Sequence, residues 1–123
     1  MSFIDGFVLA VPKENKQAFI DHAALINPMF MDMGLIRVVE SWQSDVPKGK
    51  KNDFFTAVDA DESEAVVFTF MEWPDKETRD SAMAKLQELV KDDPRFDREK
   101  HPVPFDGSRM IMGGFEPVYT LEK

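Results

Sequence analysis

A chain of 123 residues with 43% hydrophobic and 31% charged side chains is long enough for one domain with a buried core and too apolar for wholesale disorder. Its formal net charge of −8 repels phosphate backbones, and the absence of cysteine removes disulfides, thiolate nucleophiles and sulfur-bound zinc. There is neither an apolar run of about 18 residues nor a basic-then-apolar start, so a cytoplasmic protein with no membrane partner is expected.

Residues 3–11 form the first strand candidate, apolar on both alternating sets apart from Asp5 and Gly6 and ended by Pro12. The period then changes. Phe19, Ala23, Ile26 and Phe30 recur at three- and four-residue steps, which predicts a helix over residues 13–33 stopped by Gly34. Pro28 is expected to kink or break that helix near Asn27. Residues 35–42 read as a second strand, rich in β-branched side chains. Residues 43–63 lack strong periodicity, and residues 53–58 are expected to pack down inside them as a short helical turn or strand. The lysines at 48, 50 and 51 in this stretch have no aromatic interleaving and read as a solvated loop, so no nucleic-acid partner is expected.

Residues 65–73 are the strongest strand candidate, ended by Pro74. Asp75 is placed to cap a second helix, whose stripe of Ala82, Leu86, Leu89 and Val90 runs out before Pro94. A proline-rich loop over residues 94–107 leads to a last strand over residues 108–119, interrupted by Gly113 and Gly114. The order strand, helix, strand, strand, helix, strand predicts an α+β, ferredoxin-like βαββαβ domain over residues 1–123. Its four-stranded antiparallel sheet would carry two helices on one face. The apolar residues on the other face would then need cover, and a homodimer formed sheet to sheet would supply it.

Several motifs have a familiar look. Ile4-Asp5-Gly6-Phe7-Val8, Val39-Glu40-Ser41-Trp42 followed by Asp45-Val46-Pro47-Lys48-Gly49-Lys50, and Pro104-Phe105-Asp106-Gly107 leading to Arg109-Met110-Ile111-Met112-Gly113-Gly114-Phe115-Glu116 resemble the YbaA-like family of small bacterial proteins. The likeness runs through nearly the whole chain in the same order. It implies the dimeric α/β-barrel arrangement, in which two ferredoxin-like sheets face each other, and it implies no catalytic residue. Fold likeness of this kind does not fix a reaction.

Charged residues inside strand candidates are the first place to look for chemistry. Asp5, Arg37, Glu40, Glu72, Arg109 and Glu116 could converge on a pocket between helices and sheet, where a carboxylate near an arginine could orient a polar substrate. The plainer reading makes Arg37, Glu40, Arg109 and Glu116 edge charges or structural ion pairs, because the second and fourth strands of such a sheet are edges. Asp5 and Glu72, on central strands, stand out from that set. His22, beside the apolar stripe of the first helix, could act as a base or heme ligand, with a hydrogen-bonded helix histidine as the default.

Asp5, His22, Glu72 and Arg109 are therefore the candidate ligand-binding residues. The acidic run around Asp59, Asp61, Glu62 and Glu64 lacks the glycine and glutamate of a calcium loop, and no nucleotide fingerprint or nucleophile elbow is present. The motifs call for no cofactor and no metal. Two readings follow. One is a homodimer that binds a small apolar or aromatic metabolite in a cleft of each protomer. The other is a non-catalytic structural or interaction dimer whose strand charges all sit on edges.

Overall fold

The computed structural model describes residues 2–123. Strand β1 (Phe3–Pro12) is followed by a single 3-10 turn and helix α1 (Lys16–Asp32), strand β2 (Arg37–Trp42) and a short helix α2 (Phe54–Ala57). Strand β3 (Glu64–Trp73), helix α3 (Lys76–Asp92) and strand β4 (Ile111–Phe115) complete the fold. The sheet order is β2-β3-β1-β4, and every neighbouring pair is antiparallel. That is the ferredoxin-like arrangement expected from the element order.

Local chemistry explains the boundaries. The Asp75 side chain accepts a hydrogen bond from the Thr78 backbone N–H at 2.7 Å, which satisfies one of the free donors at the start of α3. Gly34 takes φ +104°, a left-handed conformation that stops α1 and turns the chain into β2. Pro28 does not break α1, which continues unbroken to Asp32. Its ring, like Ala24 one turn earlier, lies on the exposed side of the helix, so the carbonyl left without a donor is open to water. The final strand is shorter than the sequence pattern suggested: residues 107–109 form a 3-10 turn, and pairing with β1 ends at Phe115. Pro117 therefore falls beyond the strand.

The helix-side core packs Phe3, Met71 and Trp73 of the sheet against Ile26, Met29, Phe30 and Ala82. Gly114 makes this packing possible, because a Cβ there would stand 2.2 Å from Arg79 Nη2 and 2.6 Å from Phe3 Cζ. A second apolar layer lies on the opposite face. There Val8, Ala10 and Val66 are covered by Val58 with Phe55 and Ala60, brought in by the segment that contains α2. The segment between β2 and β3 thus folds under the sheet, and only part of that face stays uncovered. The uncovered part is a groove of about 490 Å³, flanked by Ile4, Phe68, Phe70, Ile111 and Phe115 and floored by Gly6 and Gly113. Phe115 is 61% exposed, and Phe68 and Ile111 are each 46% exposed, which is unusual for large apolar side chains in a sheet.

Candidate functional site

A cleft of about 260 Å³ opens on the other side of the sheet, between α1 and the strands. Its roof is one face of α1. Residues 19, 22, 23, 26 and 30 follow three- and four-residue steps, so Phe19, His22, Ala23, Ile26 and Phe30 all face the sheet. Its floor alternates along the strands. Phe7 and Leu9 come from β1, Thr69 and Met71 from β3, and Glu40 from β2.

The end wall comes from the proline-rich loop. β4 pairs with β1 only as far as Val8, so Leu9 and Val11 would lack a neighbour on that side. Phe105 and Met110 fill the space, packed against the buried cluster of Leu9, Val11, Phe19 and Val67. The Asn15 side-chain amide donates to the Pro104 carbonyl at 3.0 Å and ties this loop to the start of α1. The Phe105 ring then lies 6.0 Å from Phe19 and, edge-on, 6.0 Å from His22.

Polar groups enter this apolar space at one place. Glu40 Oε1 accepts from the Asn27 side-chain amide at 3.2 Å, and Oε2 accepts from the Thr69 hydroxyl at 2.7 Å. Asn27 stands on α1 and Thr69 on the central strand β3, so roof and floor hold the carboxylate in one orientation. The register explains how it gets there. Glu40 lies opposite Thr69, between Val38 opposite Met71 and Trp42 opposite Val67, which puts all three β2 residues on the helix side. His22 lies beside this group with its pKa below the ordinary histidine value. Burial is the main cause; the nearby Glu40 charge opposes it, and His101 adds to it.

The four residues singled out from sequence do not converge. His22 lines the cleft. Asp5 is 5% exposed and belongs to the packing of the sheet against α3, where Oδ2 accepts from Trp73 Nε1 at 3.0 Å and Oδ1 from Arg79 Nε at 3.2 Å. Arg79 also stacks over the Phe3 ring, 4.6 Å from its centroid. Glu72 pairs in register with Ile4 and Arg37, and alternation with buried Met71 and Trp73 puts it on the opposite face from His22.

Arg109 clamps the start of β3. It donates to both Glu64 oxygens at 2.9 and 2.6 Å and to the Asp59 carbonyl at 2.8 Å. These bonds hold the Glu64 carboxyl below the usual carboxylate range.

Sequence reading passed over Asn27 and Thr69 and left Glu40 between a pocket charge and an edge charge, with the edge favoured. The signal was present as a single polar residue inside an alternating apolar set: Val38, Glu40, Trp42 on one strand and Val67, Thr69, Met71 on another. Among the described residues no group of acidic or histidine side chains has the arrangement of a metal site, and no helix is long and apolar enough to cross a membrane.

Residues 2–107 match the family described as "Protein of unknown function (DUF1428)". The chain belongs to this family. It is 48% identical over 118 residues to the uncharacterized protein YbaA of Escherichia coli strain K12, covering 96% of this chain and 97% of that one. The same identity and coverage hold for the YbaA protein of Shigella flexneri. Among solved structures, a dimeric ferredoxin-like protein from an uncultured marine organism superposes with a TM-score of 0.55 at 12% identity, over 99% of this chain and 98% of the other. At that identity the likeness speaks for the fold alone.

Proposed function

We propose that this protein is a cytoplasmic homodimer that binds a small apolar or aromatic molecule in the cleft between α1 and the sheet of each protomer. The observation that carries the reading is the Glu40 carboxylate, held by Asn27 and Thr69 at the side of a space otherwise walled mainly by aromatic, aliphatic and methionine side chains. Small-molecule sites commonly combine an apolar lining with a few fixed polar groups. A residue whose only task was to protect a sheet edge would point to solvent rather than be gripped from roof and floor.

The dimer is the proposed fate of the other face. Ile4, Phe68, Phe70, Ile111 and Phe115 form an apolar groove that Phe54 and Arg37 cover only in part among the described residues, and a second sheet laid against it would remove the remaining surface from water. The marine ferredoxin-like protein, described as dimeric, supports the same reading by analogy. The cleft and the groove lie on opposite faces, so binding and dimerisation can be tested separately.

Native mass spectrometry of the protein as isolated from cells, followed by sedimentation of Phe115→Asp, tests both parts. A dimer that carries extra mass and loses its pairing in Phe115→Asp is the expected result. A monomer at micromolar concentration overturns the dimer. A bare dimer whose cleft amides show no chemical-shift change with any single-ring aromatic overturns the binding reading and leaves a non-catalytic dimer.

A further inference from the structure

We infer that the cleft selects ligands carrying a hydrogen-bond donor on an apolar ring, a phenolic hydroxyl or ring N–H, and rejects ring carboxylates, with Glu40 as the selecting group. The inference rests on the small-molecule reading above and narrows it to a chemical class.

A carboxylate has about four lone-pair positions. Two at Glu40 are filled, one on each oxygen, by the Asn27 amide and the Thr69 hydroxyl. Each oxygen therefore keeps a position for a donor brought by a ligand. Asn27 and Thr69 turn the carboxylate without neutralising it, because both are uncharged.

The lining of the cleft contains no lysine or arginine. The nearest cation on the same helix, Lys16, places its Nζ 5.5 Å from the centroid of the Trp42 ring and is not part of the lining. His22 does not supply the missing charge near neutral pH, since burial keeps its pKa below the ordinary value. The cleft is thus an apolar space with one negative group and no positive one. A carboxylate ligand would meet a like charge there without a counter-ion, whereas a hydroxyl or ring N–H would meet an oriented acceptor. The flat walls of Phe7, Phe19 and Phe105 suit a ring as the apolar part.

The test uses 4-ethylphenol, indole, ethylbenzene and 4-ethylbenzoate as probes, titrated into the intact protein while the backbone amides of Ala23, Asn27 and Thr69 are followed by NMR. The expected result is binding of 4-ethylphenol and indole about tenfold or more tighter than 4-ethylbenzoate, with ethylbenzene between them. In Glu40→Gln, which keeps the side-chain shape, the gap between 4-ethylphenol and 4-ethylbenzoate should shrink to within about threefold, since the like charge is gone. Glu72→Gln, which removes a carboxylate from the opposite face of the sheet, should leave the preference unchanged. Thr69→Val, which frees Glu40 Oε2 from the floor, should weaken 4-ethylphenol more than ethylbenzene, so the assignment can be read even if Glu40→Gln folds poorly.

Equal binding of all four probes at the cleft amides would overturn the donor selection while leaving a small-molecule cleft. A preference that survives in folded Glu40→Gln would overturn the role of Glu40. No response to any probe would overturn the cleft reading and this inference together.

Discussion

Replacing Asp5 with alanine separates a structural carboxylate from a functional one. Asp5 is buried between β1 and α3 and serves two donors, the Trp73 indole N–H at 3.0 Å and Arg79 Nε at 3.2 Å. Removing it leaves the N–H of a fully buried tryptophan without a partner, at a cost of about 1–3 kcal/mol. It also strips a buried partner from Arg79. Breaking a buried ion pair typically costs about 3–5 kcal/mol, but the Arg79 side chain is 21% exposed and keeps Asp80 at 2.7 Å. Solvent access and the retained Asp80 contact put the Arg79 loss below that range, at about 1–2 kcal/mol, and about 3 kcal/mol is expected for the two losses together.

For a chain of this length that corresponds to a melting temperature lower by roughly 10–15 °C. Asp5→Asn, which retains an acceptor for the indole, should lose about half as much. Urea unfolding followed by far-ultraviolet circular dichroism measures both. Binding of 4-ethylphenol at temperatures where Asp5→Ala remains folded should match the unaltered protein, because Asp5 contributes nothing to the cleft lining. A stability loss under about 1 kcal/mol would refute the structural account of this carboxylate. A lost binding response in the folded variant would show that the site extends under α3.

The His22 imidazole should titrate below 6.5, since burial outweighs the pull of Glu40. Its folded pKa is depressed, so the unfolded chain binds the proton first and stability should fall as pH drops through and below 6.5. Glu40→Gln removes the opposing charge and should lower the NMR midpoint further; an unchanged midpoint would place the two groups too far apart to interact. The Glu64 carboxyl is also depressed, by Arg109, and its contribution is fully present above the ordinary value of 4.5 and lost as pH falls below that toward the folded pKa. Unfolding curves of Glu64→Gln between pH 3 and 7 should therefore show a shallower acid limb than the unaltered protein, and an identical limb would refute the clamp. Gly114→Ala should destabilise by about 1–3 kcal/mol, because its Cβ would collide with Arg79 and Phe3. Thermal melting that matches the unaltered chain would mean that the sheet edge relaxes freely there.

The element order was legible because each segment carried its own period and its own stop. Phe19, Ala23, Ile26 and Phe30 announce a helix, residues 65–73 a strand, and Asp75 with Pro94 the two ends of α3. Those are local properties, governed by residues within a turn or two of each other. The antiparallel ferredoxin-like sheet follows from their order and from the shortage of alternatives for such a series.

The site depended on facts that no local pattern contains. Whether Glu40 faces solvent or the cleft depends on its register against β3, and one residue of slip would reverse it. Asn27 acquires its role only because β2 passes beneath α1, and Phe105 closes the cleft only because β4 stops short of Leu9. Asp5 and Arg109, which stood out as charges near strands, each found partners distant in sequence: Trp73 and Arg79 for the first, Asp59 and Glu64 for the second. The sequence by itself determined the elements, their order and the need to cover two sheet faces. Only the tertiary structure decided which charges are engaged with one another and which carboxylate faces the cleft, because that depends on contacts across the sheet rather than along the chain.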